Sequence, residues 1–222
     1  MCYSPQADLV GGIVVGVIGV DALRHVDHRD DHLAIATLPL LLGAHQIVEA
    51  FVWWGLQGHV PVSVGRAALW IYLQIAFVAL PIGIPLAVRA FEPDRRRRWL
   101  MDAFVAMGIA VGLYLFIEIL RGPIEARLGH YHLAYSAPMS HGLLVTSLYV
   151  AAVCGALLLS SYRHVVIFGI ANLIAVAILA RLTIDGFASL WCAYAAVASG
   201  AIAAHMRWGK TVHETARVPT AV

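Results

Sequence analysis

Charged residues are scarce in this chain of 222 residues, at 13% against about 25% in soluble domains. Hydrophobic residues make up 61% of it, and the mean hydropathy is +0.80. This balance excludes a water-soluble globular fold and predicts a protein embedded in the lipid bilayer. The net charge of +2 is also too small to indicate a nucleic-acid partner, because the arginines fall in loops and form no basic face.

Motifs that would name a reaction are absent as well. The sequence has no glycine-rich phosphate loop, no Ser-His-Asp constellation and no HExxH zinc motif. Its three cysteines, Cys2, Cys154 and Cys192, are too few for a disulfide framework, although one pair could bridge on an oxidising side. The N-terminus lacks the basic region and cleavage site of a secretory signal, so the first apolar stretch is expected to remain as a span. Whether the chain is an enzyme is left open.

Long apolar runs are what the sequence has in abundance. A helix needs roughly 20 such residues to cross about 30 Å of hydrocarbon. Seven runs approach that length, near 8–25, 33–57, 65–89, 99–121, 139–160, 163–182 and 187–207. They predict an all-α bundle of seven transmembrane helices in a single domain, residues 1–210, followed by a short cytoplasmic tail, residues 211–222. The longest connection, Gly122 to Pro138, is a candidate to fold back over the bundle.

Two prolines interrupt the third run. Pro81 and Pro85 each remove a backbone donor, which predicts a kink whose freed carbonyls are satisfied by neighbouring helices.

The distribution of basic residues predicts the orientation, because Lys and Arg in short loops are retained in the cytoplasm. Eleven of them fall on the side that holds the loops near residues 24–32, 89–98 and 161–163 and the C-terminal tail, and four fall on the other. Those four are Arg66, Arg121, Arg127 and Arg181. The N-terminus is therefore predicted outside and the C-terminus inside.

His45 and Glu49 are the most costly polar residues within a predicted span. They are four positions apart and share one helical face. An ionised glutamate in hydrocarbon costs at least about 2.5 kcal/mol unless it is neutralised, paired or bound to a metal, so Glu49 is predicted to face the bundle interior. A functional site and a hydrogen-bonded glutamate that ties helices together are both open interpretations.

Several potential metal ligands fall on the side of the bundle that is predicted to face outside. Imidazoles, carboxylates and thiols are the ligand types of zinc, copper and iron. The outer candidates are His59, His130, His132, His141, Glu118, Glu125 and Asp185. If Met1 is removed, Cys2 presents an amine and a thiol as a chelate, and Cys192 lies about one and a half turns below the outer end of the last span.

The resulting prediction is a transition-metal site in the outer half of the bundle, formed by Cys2, His45, Glu49, His132 and Cys192. For each histidine taken singly, a solvated or hydrogen-bonded side chain is the simpler alternative. For Cys192 the simpler alternative is a small core residue, and Cys154 is assigned only packing.

Tryptophans cluster near the predicted helix ends, which is typical of interfacial belts. They are Trp53, Trp54, Trp70, Trp99 and Trp208.

Several of these segments together resemble an uncharacterised bacterial membrane family, domain of unknown function family 6629. The segments are Met1-Cys2-Tyr3-Ser4, Gly43-Ala44-His45-Gln46 through Glu49 to Trp53, His132 through Tyr135, and Ser189 through Cys192. The likeness covers nearly the whole chain, with Tyr3 and Ala50 as departures from the usual Phe and Gly. The resemblance implies a multi-pass protein of the bacterial plasma membrane, with marked positions at Cys2, His45, Glu49, Trp53, His132, Trp191 and Cys192. It implies no activity.

Four functions remain open. The first is a metal-dependent membrane enzyme at the outer leaflet. The second is a small-solute transporter or ligand-sensing protein in which Glu49 is the protonatable group. Haem ligation is less favoured, because no two axial histidines on facing helices can be chosen. A structural or assembly subunit is the fourth, and the oligomeric state is not determined.

Overall fold

Helices dominate the protein. The computed structural model describes residues 4–25, 30–129, 133–136 and 141–182. The helices are α1 Pro5–Arg24, α2 Asp30–Leu56, α3 Val62–Gln74, α4 Leu80–Phe91, α5 Arg95–Arg121, α6 Gly142–Leu158 and α7 Arg163–Leu182. A five-residue π-helix, Ile75–Ala79, joins α3 to α4, so that residues 62–91 form one continuous helical stretch. The predicted all-α class is therefore confirmed.

Within the residues that the structure describes, four helical stretches are long and apolar enough to cross a membrane. They are Pro5–Arg24, Ala36–Leu56, Val62–Phe91 and Arg95–Arg121. Two shorter apolar helical segments, Gly142–Leu158 and Val165–Ile178, coincide with the fifth and sixth predicted runs. The seventh predicted run, 187–207, and the predicted tail lie outside the described residues.

Glycines set the distance between α1 and α2. A Cβ built on Gly12 would lie 2.8 Å from the Gly43 carbonyl oxygen, and one on Gly19 would lie 2.8 Å from the backbone nitrogen of Leu40. The contacts pair later α1 residues with earlier α2 residues, so the two helices are antiparallel. Backbones this close leave no room for a larger side chain, which is the packing typical of membrane helices.

The third span changes its hydrogen-bond register just before Pro81, and the carbonyl that this frees is bonded by a neighbouring helix, as predicted. In the π-helix the Leu80 N–H bonds to the Ile75 carbonyl, five residues back. In that register the Ala76 carbonyl would need a donor at residue 81, which is a proline and has none. The Tyr149 hydroxyl of α6 donates to the Ala76 oxygen instead, at 2.8 Å. A neighbouring helix thus satisfies the freed carbonyl.

A small β-hairpin follows α5. Strand β1, Glu125–Leu128, pairs antiparallel with β2, Leu133–Ser136, and Ala126 lies opposite Tyr135. Leu133 and Tyr135 pack against residues of α2 and α3. The described part of the long connection therefore lies against the bundle. We call this the hairpin end.

The opposite end gathers the turn between α4 and α5 and the turn between α6 and α7. The rings of Phe91 and Tyr162 pack there with centroids 4.4 Å apart, beside Ala22 and Ala36. This arginine end carries Arg24, Arg89, Arg95, Arg96, Arg97, Arg98 and Arg163. Arg66, Arg121 and Arg127 lie at the hairpin end.

Candidate functional site

Glu49 is completely buried in α2, and a residue from outside the helices reaches it. The Tyr135 hydroxyl of β2 donates a hydrogen bond to Glu49 Oε1 at 3.3 Å. Glu49 lies seven residues before Leu56, about 10 Å along the helix from its hairpin-end terminus. The prediction that Glu49 faces the interior of the bundle is confirmed.

Three aromatic rings stack beside this carboxylate. The His45 ring lies on the Tyr72 ring of α3, with centroids 4.1 Å apart and an angle of 18° between the planes. Tyr72 in turn stacks on Tyr135, with centroids 4.5 Å apart and an angle of 17°. Tyr135 therefore links the hairpin both to the stack and to Glu49. We call His45, Tyr72, Tyr135 and Glu49 the stacked site.

Local sequence explains how α2 presents its part of the site. His45 and Glu49 are one helical turn apart, and Gln46 and Trp53 complete a buried face that runs toward the hairpin end. Trp53 was assigned to an interfacial belt, but that interpretation is wrong: it is 6% exposed and packs in the same cluster as Tyr72 and Leu133. Its buried indole N–H finds no acceptor among the described residues.

A second buried carboxylate comes from α1. Asp8 is 1% exposed and lies one turn before Gly12, on the face that packs against α2. Because Gly12 meets Ile47 and the helices are antiparallel, Asp8 lies close to the depth of Glu49. Sequence reasoning gave Asp8 no role, since an acidic residue in the first turn of a helix is common.

The predicted metal set is only partly placed. His45 and Glu49 are both buried in the stacked site. Cys2, His132 and Cys192 lie outside the described residues, and so does Asp185. In the part of the chain that the structure describes, no group of three or more His, Cys, Asp or Glu side chains could hold a metal ion. The five-residue metal site stays a prediction.

Two of the other proposed outer ligands have ion-pair partners. Glu118 accepts from Arg121 at 2.9 Å, and Glu125 accepts from Arg127 at 2.8 Å. Cys154 lies at 3% exposure within α6, where the Asn172 amide donates to its sulfur at 3.5 Å, in agreement with its assignment to packing.

Glu92, at the arginine end, is a third buried carboxylate that sequence reasoning did not single out. Its oxygens accept from the Ser161 N–H at 2.7 Å, from the Ser160 hydroxyl at 3.3 Å and from the Asp94 N–H at 3.2 Å, and also from the Ser161 hydroxyl. Burial, with the charge of Glu92 beside it, raises the pKa of Tyr162. Glu92 therefore ties the two turns of this end together.

Residues 1–217 match the model of one protein family, the Family of unknown function (DUF6629). The chain belongs to this family. No curated protein and no solved structure matches the chain. These comparisons point to no activity for the chain.

Proposed function

We propose that this chain is a seven-span protein of the bacterial plasma membrane, with its N-terminus outside, that acts as a small-solute transporter or ligand sensor. Glu49 is its protonatable group. The observation that carries the proposal is the hydrogen bond from Tyr135, on the hairpin, to a wholly buried carboxylate within a span.

The bond couples the charge of Glu49 to the position of the hairpin. A hydroxyl bonds more strongly to an ionised carboxylate than to a neutral one. The hairpin is therefore held more tightly when Glu49 is ionised, and it is released more easily when Glu49 is protonated or when a ligand takes over the bond. By linkage, whatever moves the hairpin also changes the proton affinity of Glu49.

The stacked site also has the character of a ligand site. Aromatic faces favour a flat or apolar part of a ligand, and the Trp53 N–H can donate to an acceptor on that ligand. Trp53 lies one turn from Glu49 along α2 and is buried in the same hydrophobic cluster as Tyr72. A small solute that carries both an acceptor and a donor fits these two groups.

The orientation is supported by the two ends of the bundle. The arginine end carries more basic residues than the hairpin end, and basic loops are retained in the cytoplasm. With the hairpin end outside, the stacked site lies in the outer half of the bundle.

Hydrogen exchange of the β1–β2 backbone amides tests the coupling. Purified protein in detergent is compared at several pH values, each corrected for the intrinsic exchange rate. The wild-type hairpin is expected to lose protection as the pH falls. Glu49→Gln is expected to abolish that pH dependence, and Tyr135→Phe to lower protection about tenfold at high pH, since one charge-assisted bond of about 1.5 kcal/mol is lost.

Glu118→Gln is the matched control, because Glu118 is buried at the same end but pairs with Arg121. It should keep the wild-type pH dependence. If Glu49→Gln also kept it, or if Tyr135→Phe left protection unchanged, the coupling would be refuted. Solute uptake driven by a proton gradient in proteoliposomes then separates transport from sensing.

A transition-metal site is the second candidate, favoured by the buried pairing of His45 with Glu49 one turn apart. Elemental analysis and an optical spectrum of purified protein test it. Zinc, copper or iron at one equivalent, lost in both Glu49→Gln and His132→Ala, would establish this candidate, and a Soret band would indicate haem.

A further inference from the structure

We propose that the arginine end binds the headgroups of anionic phospholipids through Arg95 and Arg96, beside Trp99. This inference concerns the end of the bundle away from the stacked site and does not depend on the role of Glu49.

The carboxylates near these arginines are already engaged. Asp102 pairs with Arg89, and Glu92 is enclosed by hydrogen bonds from the turn between α6 and α7. Asp94 accepts from the backbone N–H of Arg96 at 2.8 Å and lies 3.8 Å from the Arg97 guanidinium. None of the three is a side-chain partner for the Arg95 or Arg96 guanidinium.

The neighbouring arginines divide into two groups. Arg97 is exposed but is tied to the turn between α6 and α7, since its guanidinium donates to the carbonyls of Leu159 at 2.9 Å and Ser160 at 3.0 Å. Arg95 and Arg96 are exposed, and neither guanidinium has an ion pair or a hydrogen bond among the described residues. Positive charge in the first turn also opposes the helix macrodipole, so a bound anion relieves an unfavourable arrangement.

The length of α5 places these arginines at the level of the headgroups. Its 27 residues span about 40 Å, which exceeds the roughly 30 Å of hydrocarbon. The excess places the ends of the helix in the headgroup layers. Trp99 is 74% exposed and Leu100 is 46% exposed, one turn beyond Arg95 and Arg96. An exposed tryptophan at a span end is typical of the interface, which leaves the two guanidinium groups at the level of the phosphates.

The partner that fits this surface is an anionic lipid. Basic residues beside a span attract anionic headgroups. Arg24 and Arg163 are exposed at the same end and widen the positive surface. The apolar side chains of Trp99 and Leu100 fit acyl chains below the headgroup, and they do not fit a soluble acidic partner.

The test is lipid binding by the full-length protein in an uncharged detergent, measured by native mass spectrometry. The added probes are short-chain phosphatidylglycerol, short-chain phosphatidylcholine and inorganic phosphate. Wild-type protein is expected to retain phosphatidylglycerol preferentially, and added salt should weaken this binding. Arg95→Gln with Arg96→Gln should weaken it about 25-fold, from roughly fivefold for each arginine near the surface.

The matched control is Arg66→Gln with Arg127→Gln, two exposed arginines of the hairpin end, and it should bind like wild type. Glu49→Gln should also bind like wild type, so this inference and the proposed function fail independently. Equal phosphatidylglycerol binding by the Arg95/Arg96 variant and wild type would refute the inference. It would be refuted equally by loss of binding in the control variant, by retention of phosphatidylcholine to the same degree, or by displacement of the lipid by millimolar phosphate.

Discussion

The buried carboxylates Glu92 and Glu49 differ in the hydrogen-bond donors around them. Glu92 has donors from two turns and belongs to a connection between elements. Glu49 accepts a hydrogen bond from the Tyr135 hydroxyl of the hairpin, and aromatic rings lie beside it. The first arrangement joins two turns of the fold, whereas the second joins a helix to the hairpin.

Tyr162 gives a pH prediction at the arginine end. Its folded pKa is raised above the ordinary value of about 10 by burial and by the Glu92 charge. Its contribution to stability is therefore fully present below pH 10 and is lost as the pH rises through the folded pKa. Tyr162→Phe should flatten the decline of the unfolding midpoint between pH 9 and 11. Parallel pH curves for wild type and variant would contradict this assignment.

The candidate site could be predicted only in part from single residues. His45 and Glu49 stand out because polar groups in a span are costly. Tyr72 and Tyr135 do not stand out, since a tyrosine in an apolar segment or a loop fits ordinary packing equally well. Their contacts with His45 and Glu49 join residues far apart in the chain, and no local pattern records such contacts.

Among the elements, the third span and α5 approach each other closely at Gly108 of α5. A Cβ on Gly108 would lie far inside contact distance of the Pro81 carbonyl oxygen. Pro85 cannot donate to that oxygen, which lies four residues before it. The bare Cα of Gly108 therefore lies against a carbonyl that its own helix leaves unbonded.

Gly108→Ala should therefore destabilise the protein by about 1–3 kcal/mol or more, because the helices must separate. Gly83→Ala in α4 is the matched control: a Cβ there has open space, and the change should be neutral or stabilising by up to about 1 kcal/mol. Unfolding in mixed detergent measures both. Equal effects of the two substitutions would contradict the proposed contact.

The sequence predicted that the prolines of the third span would free backbone carbonyls and that neighbouring helices would satisfy them, and Ala76 confirms this. It did not predict the π-helix or the Tyr149 donor. A π-helix differs from an α-helix by one residue in register, and that choice depends on which neighbouring group can reach the carbonyl. The hairpin was also missed, because four-residue strands carry too little periodicity to be recognised.

At the scale of the whole molecule, orientation is the property to test. A reporter fused after Val222 should be active in the cytoplasm, as basic residues retained inside require. For truncated fusions, a reporter active only outside should work after Gln57 and fail after Asp94. The reverse pattern would overturn the orientation and place the stacked site on the cytoplasmic side.

Composition alone determined that this protein has long apolar helices, since so few charges cannot cover a water-soluble surface, and it determined that Glu49 had to turn inward. The tertiary structure decided which groups Glu49 meets: a tyrosine from a hairpin, and beside it a stack of rings contributed by α2, α3 and β2. The physical reason is that the free-energy cost of exposing a charge to hydrocarbon depends only on that residue and its position within the span. A hydrogen bond or a ring contact depends on the relative position of two segments, which only packing fixes.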